Sequence, residues 1–442
     1  MPLMSANSGT ERASLAGGLY NAGWGVVTAA CRPVLWLDRW RGRSGDWLAG
    51  KLGLQPAVAD APRCWVHACS VGEVAVALRC MDALRDAWPE LRFTLTTVTP
   101  EGHHLASSRV KAPDVVEWFP FDARGVMVRA FDRLRPEFVV LTEVELWPNH
   151  LREAQRRGIP VFLINARLAA REANRYRMAG KFMRRVFAMP HLVCAQTTED
   201  AKRFAALGAR NVVVTGNLKF DPPAAAAPPP RGERPRDMIL LGASTHEGEE
   251  RILLDVLASA RQTFPGLRLI LAPRHPQRAP LIANMAHRQG LTVGLFSAKN
   301  EECGIDCLVV DTIGDLPGIF ARATVAFMGK SLTTRGGQNF LEAVEAGCPV
   351  IFGPHMENFA EAAEIFLAKD AVRQVGNPDE LGAMVAKLLG DAEDRHALSN
   401  RAAELLGQHR GATRRSMELV LDRLADRRTF TDHEQHGNTQ AQ

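Results

Sequence analysis

Between Cys64 and Gly216 seven short β-rich runs, CWVHAC, FTLTTV, VVEWF, FVVLTEV, VFLINA, LVCAQ and NVVVTG, alternate with stretches whose apolar residues recur at helical spacing. Strands separated by amphipathic helices predict parallel α/β units. The alternation breaks over residues 216–236 (GNLKFDPPAAAAPPPRGERPR), where clustered prolines forbid a helix or a central strand and predict an interdomain linker. It restarts at Met238 with MILLGAS, RLILAP, TVGLF, CLVVD, TVAFMG and PVIFGP. A helical pattern over 394–424 closes the second half or crosses back to the first, and the polar stretch 429–442 is expected to be disordered. The expected organisation is a segment 1–54, an α/β domain over 55–215, the linker 216–236, a second α/β domain with its closing helix over 237–428, and a tail. Two such halves facing across a cleft would carry a ligand site at the carboxyl ends of their strands.

Residues 15–37 (LAGGLYNAGWGVVTAACRPVLWL) are apolar apart from Asn21, Arg32 and Pro33. The length is close to the roughly 20 residues of a membrane span, but Asn21, the glycines and the Arg-Pro pair weaken that reading. Trp24, Trp36, Trp40 and Trp47, with nearby arginines, fit a segment lying at a membrane interface. A buried helical hairpin is the alternative. No basic region precedes the stretch, which argues against a cleaved signal peptide.

Composition narrows the class further. With 442 residues, 46% hydrophobic and 23% charged, the chain is globular and long enough for two to three domains. A formal charge of +5, carried more by Arg than by Lys, suits phosphates, carboxylates or an anionic membrane surface. No nucleic-acid recognition motif or dense basic and aromatic stripe accompanies it, so no nucleic-acid partner is expected. The eight cysteines are scattered through apolar segments and read as reduced, buried thiols of a cytoplasmic protein. Cys303 and Cys307 lack the second ligand pair of a zinc finger, and neither a metal-binding Asp-x-Asp pair, a complete P-loop nor an HExxH is present. No metal and no cofactor are expected.

Candidate chemistry clusters at strand ends. Phe327 to Glu361 reads as a strand, a phosphate-sized loop and a helix opening near Asn339. Gly329, Gly336 and Gly337 permit close backbone approach, free N–H groups at the helix start would meet an anion, and Asn339 with Glu342 on the same face suits a ribose. An ordinary Gly-rich α/β connection is the competing reading. Glu73 follows the first strand, as a general base raised by burial or as a helix-start carboxylate. Glu143 and Glu145, at the end of an apolar strand, point to one face by strand alternation and call for a cation, a sugar hydroxyl or a shared proton. Asn165 and Arg167 end another strand, and Lys219 stands at the edge of the linker. In the second half Ser244, Thr245 and His246 precede a helix. Pro273, Arg274 and His275 end a strand, with Arg274 the best phosphate candidate. Asp311 to Asp315 line a base or ribose, or form a capped turn.

Taken in order, HACSVGE, LTEVELWPN, INARL, GNLKFD, GASTHEGEE, LAPRHP, DTIGDL and FMGKSLTTRGGQN with GPHMENF resemble the 3-deoxy-D-manno-octulosonic acid (Kdo) transferases of Gram-negative bacteria. The similarity runs from about residue 15 to 390. It implies a GT-B glycosyltransferase of two Rossmann-like domains with an N-terminal membrane-associated helical segment, inverting and metal-independent. CMP-Kdo would be the donor and a lipid A precursor, lipid IV(A), the acceptor, at the cytoplasmic side of the inner membrane. By matching position the resemblance puts Glu73 on the general base and Glu143 and Lys219 on the transition-state stabilisers, with Glu145 able to exchange roles with Glu143. Pro273, Arg274, Ile313, Gly314, Asp315, Asn339, Phe340, Leu341 and Glu342 fall on the CMP-Kdo site, with Ser244, Ser331, Gly336 and Gly337 as possible additions. Gln338 stands where the family more often has His, and Phe340 where Pro is usual. A nucleotide-sugar epimerase of the same architecture and a non-catalytic membrane-bound scaffold are the alternatives.

Overall fold

The computed structural model describes residues 15–40, 46–56, 58, 61–221, 238–298 and 304–439. They form two compact units, one of residues through Asp221 together with Gly411 onward, the other ending at Arg410.

Each unit is built on a seven-stranded sheet whose paired strands all run parallel. In the first, β1 (Arg63–His67), β2 (Arg92–Thr97), β3 (Val115–Trp118), β4 (Phe138–Thr142), β5 (Val161–Ala166), β6 (Leu192–Ala195) and β7 (Val212–Val214) lie in the order β3-β2-β1-β4-β5-β6-β7. The second holds β8 (Ile239–Thr245), β9 (Arg268–Pro273), β10 (Val293–Leu295), β11 (Cys307–Val309), β12 (Val325–Met328), β13 (Val350–Phe352) and β14 (Arg373–Gln374), in the order β10-β11-β9-β8-β12-β13-β14. Strands covered on both faces read as continuous apolar runs, and β1, β4 and β5 are buried at every position. Only β14 escaped the sequence pattern, because two residues have no periodicity to read. In the first sheet the chain winds outward from a central pair, β1 beside β4; in the second the central pair is β8 beside β12, and β11 returns to lie between β9 and the edge strand β10. Side chains leaving the carboxyl ends of such a pair converge.

Three expected boundaries move. The proline run begins only at Pro222, whereas Gly216–Asp221 belongs to the first unit. Leu218 and Phe220 there are buried, in a short 3₁₀ turn from Leu218 to Phe220 capped by Asn217. Residues 222–236 lie outside the described residues. The expected closing helix is two elements. Helix Ala392–His409 stays with the second unit, and the chain from Gly411 returns to the first. Asp221 fastens that return by accepting the N–H groups of Gly411 and Thr413, both at 2.6 Å. Helix Ala412–Thr439 then packs Met417 and Val420 into the same core as β1 and helix Val71–Ala87. Its backbone stays helical well into the stretch expected to be disordered, since extending a nucleated helix costs little per residue.

Nor is the N-terminal stretch a separate segment. Helix Leu15–Trp40 rests on the first unit through Tyr20, whose hydroxyl donates to Asp122 at 2.7 Å, through Asn21, which accepts from Asn149 at 2.8 Å, and through Trp24 against Phe121. Its outward side carries Leu19, Val26 and Val27, all exposed. Among the described residues no helix is long and apolar enough to cross a membrane.

Candidate active site

The carboxyl end of β1 delivers Glu73. Ser70 caps helix Val71–Ala87, and Glu73 completes a capping box with it. The helix-start role weighed from sequence is therefore realised, yet it does not exhaust the residue. One carboxylate oxygen accepts from the Ser70 hydroxyl at 2.9 Å and its N–H at 3.3 Å. The other accepts from the Cys69 N–H at 3.0 Å and the Thr142 hydroxyl at 2.8 Å. Burial and the neighbouring charge of Glu143 push the Glu73 carboxyl above its ordinary value, against the pull of the Cys69 and Thr142 bonds. Glu145 adds a smaller push in the same direction.

Strand β4 stops at Thr142, one residue short of the acidic pair. Glu143 takes a left-handed backbone (φ 53°) and Glu145 closes a turn onto the Thr142 carbonyl, so alternation no longer applies and the two carboxylates do not share a strand face. Glu143 meets the Lys219 ammonium at 2.8 Å, the cation its position calls for. Glu145 accepts from the Trp147 indole at 2.8 Å and faces His67 Nε2 at 3.5 Å. Burial would raise the Glu145 carboxyl, but His67 and Trp147 outweigh it and hold the group below the ordinary range. Sequence reasoning quoted His67 within its motif without assigning it. The ring is fully buried, stacked on Phe119 at 3.8 Å, with Nδ1 3.0 Å from the Thr96 carbonyl. The Thr96 hydroxyl lies 3.1 Å from the same nitrogen, and Nε2 is turned to Glu145. Lys219 belongs to the first unit rather than to the linker. It stands on the 3₁₀ turn of the first unit, and Asn165, also left-handed (φ 50°), fixes that turn by accepting the Leu218 N–H at 2.9 Å.

In the second unit the ends of β8, β9 and β12 come together. Ser244 is left-handed (φ 51°) at a register shift in β8, and Gly329 fits beside it because a Cβ there would lie 2.4 Å from the Ser244 carbonyl oxygen. That glycine serves strand packing. Arg274 leaves the end of β9 exposed, its backbone N–H bound to the Thr245 carbonyl. Beside it His246 and His275 sit edge to face at 5.8 Å, and Gln338 reaches His246 at 3.3 Å. Burial lowers the His246 pKa, the nearby charges of Lys330, His275 and Arg274 lower it further, and Glu249 opposes them. His246 was named from sequence only as preceding a helix and Lys330 was not named at all, because only the fold brings their strands together.

The loop after β12 departs from expectation. Five of its N–H groups are taken up inside the protein. Those of Lys330, Ser331 and Leu332 donate to the fully buried carboxylate of Glu249, at 2.8, 3.1 and 3.1 Å, and His246 N–H joins them at 2.9 Å. Gly336 N–H goes to Glu357 at 2.7 Å and Gly337 N–H to the Lys330 carbonyl at 2.7 Å. Ser331 is buried, its hydroxyl bonded to the Met328 carbonyl and the Gly353 N–H, so it holds strand ends together. The expected helix opens only at Leu341 and runs five residues, too short for much of a dipole. Phe340 and Leu341 turn into the core, Phe340 against Phe352 and Phe366 at 5.5 and 5.3 Å, which removes both side chains from ligand contact. Asn339 does pair with Glu342 at 2.9 Å, as their spacing predicts. Pro273 is buried at the end of β9. Ile313 and Gly314 (φ 103°) form an exposed tip, and Asp315 accepts from Thr312 in a capped turn.

The fold compares with that of MurG from Acinetobacter baumannii at a TM-score of 0.53, over 82% of this chain and 100% of that one at 14% identity. Two parallel α/β units of this kind are the GT-B architecture. A family profile described as 3-deoxy-D-manno-octulosonic-acid transferase (kdotransferase) matches residues 39–222. The 3-deoxy-D-manno-octulosonic acid transferase of Bordetella pertussis is 35% identical over 90% of this chain and 99% of its own, and that of Haemophilus influenzae is 32% identical over 80% and 86%. The chain belongs to the 3-deoxy-D-manno-octulosonic acid (Kdo) transferase family.

Proposed function

We propose that this glycosyltransferase moves Kdo from CMP-Kdo to a lipid A precursor in lipopolysaccharide synthesis, with Glu73 as general base. The supporting observation is Glu73 itself, a carboxylate at the end of a central strand whose burial and like-charged neighbour raise its proton affinity toward the range a base needs. A glucosamine hydroxyl of the lipid gives its proton to Glu73 as its oxygen attacks the anomeric carbon of Kdo, and the bond to the CMP phosphate breaks with inversion. Glu143 and Lys219, held as an ion pair, together stabilise the transition state at the sugar. Arg274 neutralises the departing phosphate. Such a reaction uses no metal. The apolar outer side of helix Leu15–Trp40 supports attachment to the cytoplasmic face of the inner membrane, where a lipid acceptor resides.

Purified protein incubated with CMP-Kdo and tetraacylated lipid A precursor should yield a lipid heavier by Kdo. Glu73→Gln should bind CMP-Kdo and transfer none of it. Undiminished transfer by that variant would remove Glu73 from the mechanism, and interconversion of donor without lipid would point to an epimerase instead.

A further inference from the structure

Lys330 holds an uncommon backbone (φ 57°), a left-handed conformation that costs a side chain with a Cβ about 1 kcal/mol or more. Something has to hold it there. Its N–H is one of four gathered by the buried Glu249 carboxylate, two from the residues that follow it and one from His246. Glu249 thereby occupies the place where a loop of this shape would otherwise receive an external anion, and the loop backbone has little charge left to offer one.

The side chain is disposed quite differently. Lys330 extends over Gly336, where an added Cβ would lie 3.1 Å from its Cε and 3.4 Å from its Nζ. Among the described residues its ammonium has no hydrogen-bond or ion-pair partner. On the same side stand the exposed Arg274 and His275 and the half-buried His246, each following a central strand. Gln338, which bonds to His246, brings no charge of its own.

We propose that Lys330 is a ligand of the donor phosphate, its ammonium taking a non-bridging oxygen beside Arg274 while Glu249 positions it from behind. The inference rests on reading the second unit as the one that binds CMP-Kdo. The N–H groups of Lys330, Ser331 and Leu332, which a loop of this shape would offer an anion, go to a carboxylate instead, and a side chain held by that carboxylate takes their place.

Lys330→Gly tests this, because glycine accepts the left-handed backbone without strain and the fold should be at least as stable as before. Calorimetry with CMP, and with cytidine as the probe lacking phosphate, provides the readout. CMP should bind about ten- to a hundredfold more weakly to the variant, the loss of one charge-assisted hydrogen bond, while cytidine binds both proteins alike. Unchanged CMP affinity in the variant overturns the proposal, as does an equal loss for CMP and cytidine, which would mark Lys330 as structural. Failure of the unaltered protein to bind CMP would instead refute the reading of the second unit, and this inference with it.

Discussion

The Thr142 hydroxyl sits between two acceptors, Glu73 at 2.8 Å and the His67 carbonyl at 3.0 Å, and it has one proton to give. When Glu73 is ionised the charge-assisted bond wins, and when Glu73 is protonated the hydroxyl turns to the carbonyl. Thr142→Val keeps the shape of this fully buried position and deletes the choice. A hydrogen bond to a charged group contributes about 1.5–3 kcal/mol. The retained option on His67 offsets part of that, leaving a differential of about 1.5 kcal/mol against the ionised form, or about one pH unit. The acid limb of kcat/KM should therefore move alkaline by about one pH unit, with the plateau at high pH nearly intact. Stability gives an independent check on sign. Glu73 is already held above its ordinary value, so its contribution to stability is fullest at acid pH and is lost as pH rises through the folded value; the variant raises that value further. Urea unfolding should find Thr142→Val more destabilised at pH 7 than at pH 4. An acid limb superimposable on that of the unaltered enzyme, or a loss of activity equal at every pH, would refute Glu73 as the titrating base.

Other perturbations probe the same frame. Lys219→Met strips Glu143 of its cation, so kcat should fall by about a hundredfold and the acid limb should again move alkaline, since Glu143 then presses harder on Glu73; steady-state kinetics across pH reads both. Asn165→Gly retains the left-handed backbone but frees the Leu218 N–H, which should cost about 1–3 kcal/mol of stability and lower kcat through misplacement of Lys219, both measurable on one preparation. Phe340→Ala empties a fully buried site against Phe352 and Phe366 and should cost about 3–5 kcal/mol in denaturant unfolding. Calorimetry on the folded protein should find CMP affinity unchanged, and a selective loss of affinity would restore Phe340 to the donor site.

Sequence by itself determined the α/β class and thirteen of the fourteen strands among the described residues, and it marked candidate positions for chemistry, because buried parallel strands must be continuous apolar runs and the polar residues that end them stand out. Glu73, Glu143 and Arg274 stood out as candidates in this way, and Lys219 by its place at the edge of the linker. Tertiary structure decided what those residues touch. No local pattern records that Asp221 ties Gly411 back to the first unit, that Asn165 holds the turn of Lys219, or that Glu249, more than eighty residues earlier in the chain, fills the anion place in the loop after β12. The Gly-rich loop was the boldest phosphate signal in the chain, yet its backbone donors are largely spent inside the protein. Spacing reports which groups a segment presents, whereas whether a donor is free depends on what the rest of the fold brings to it.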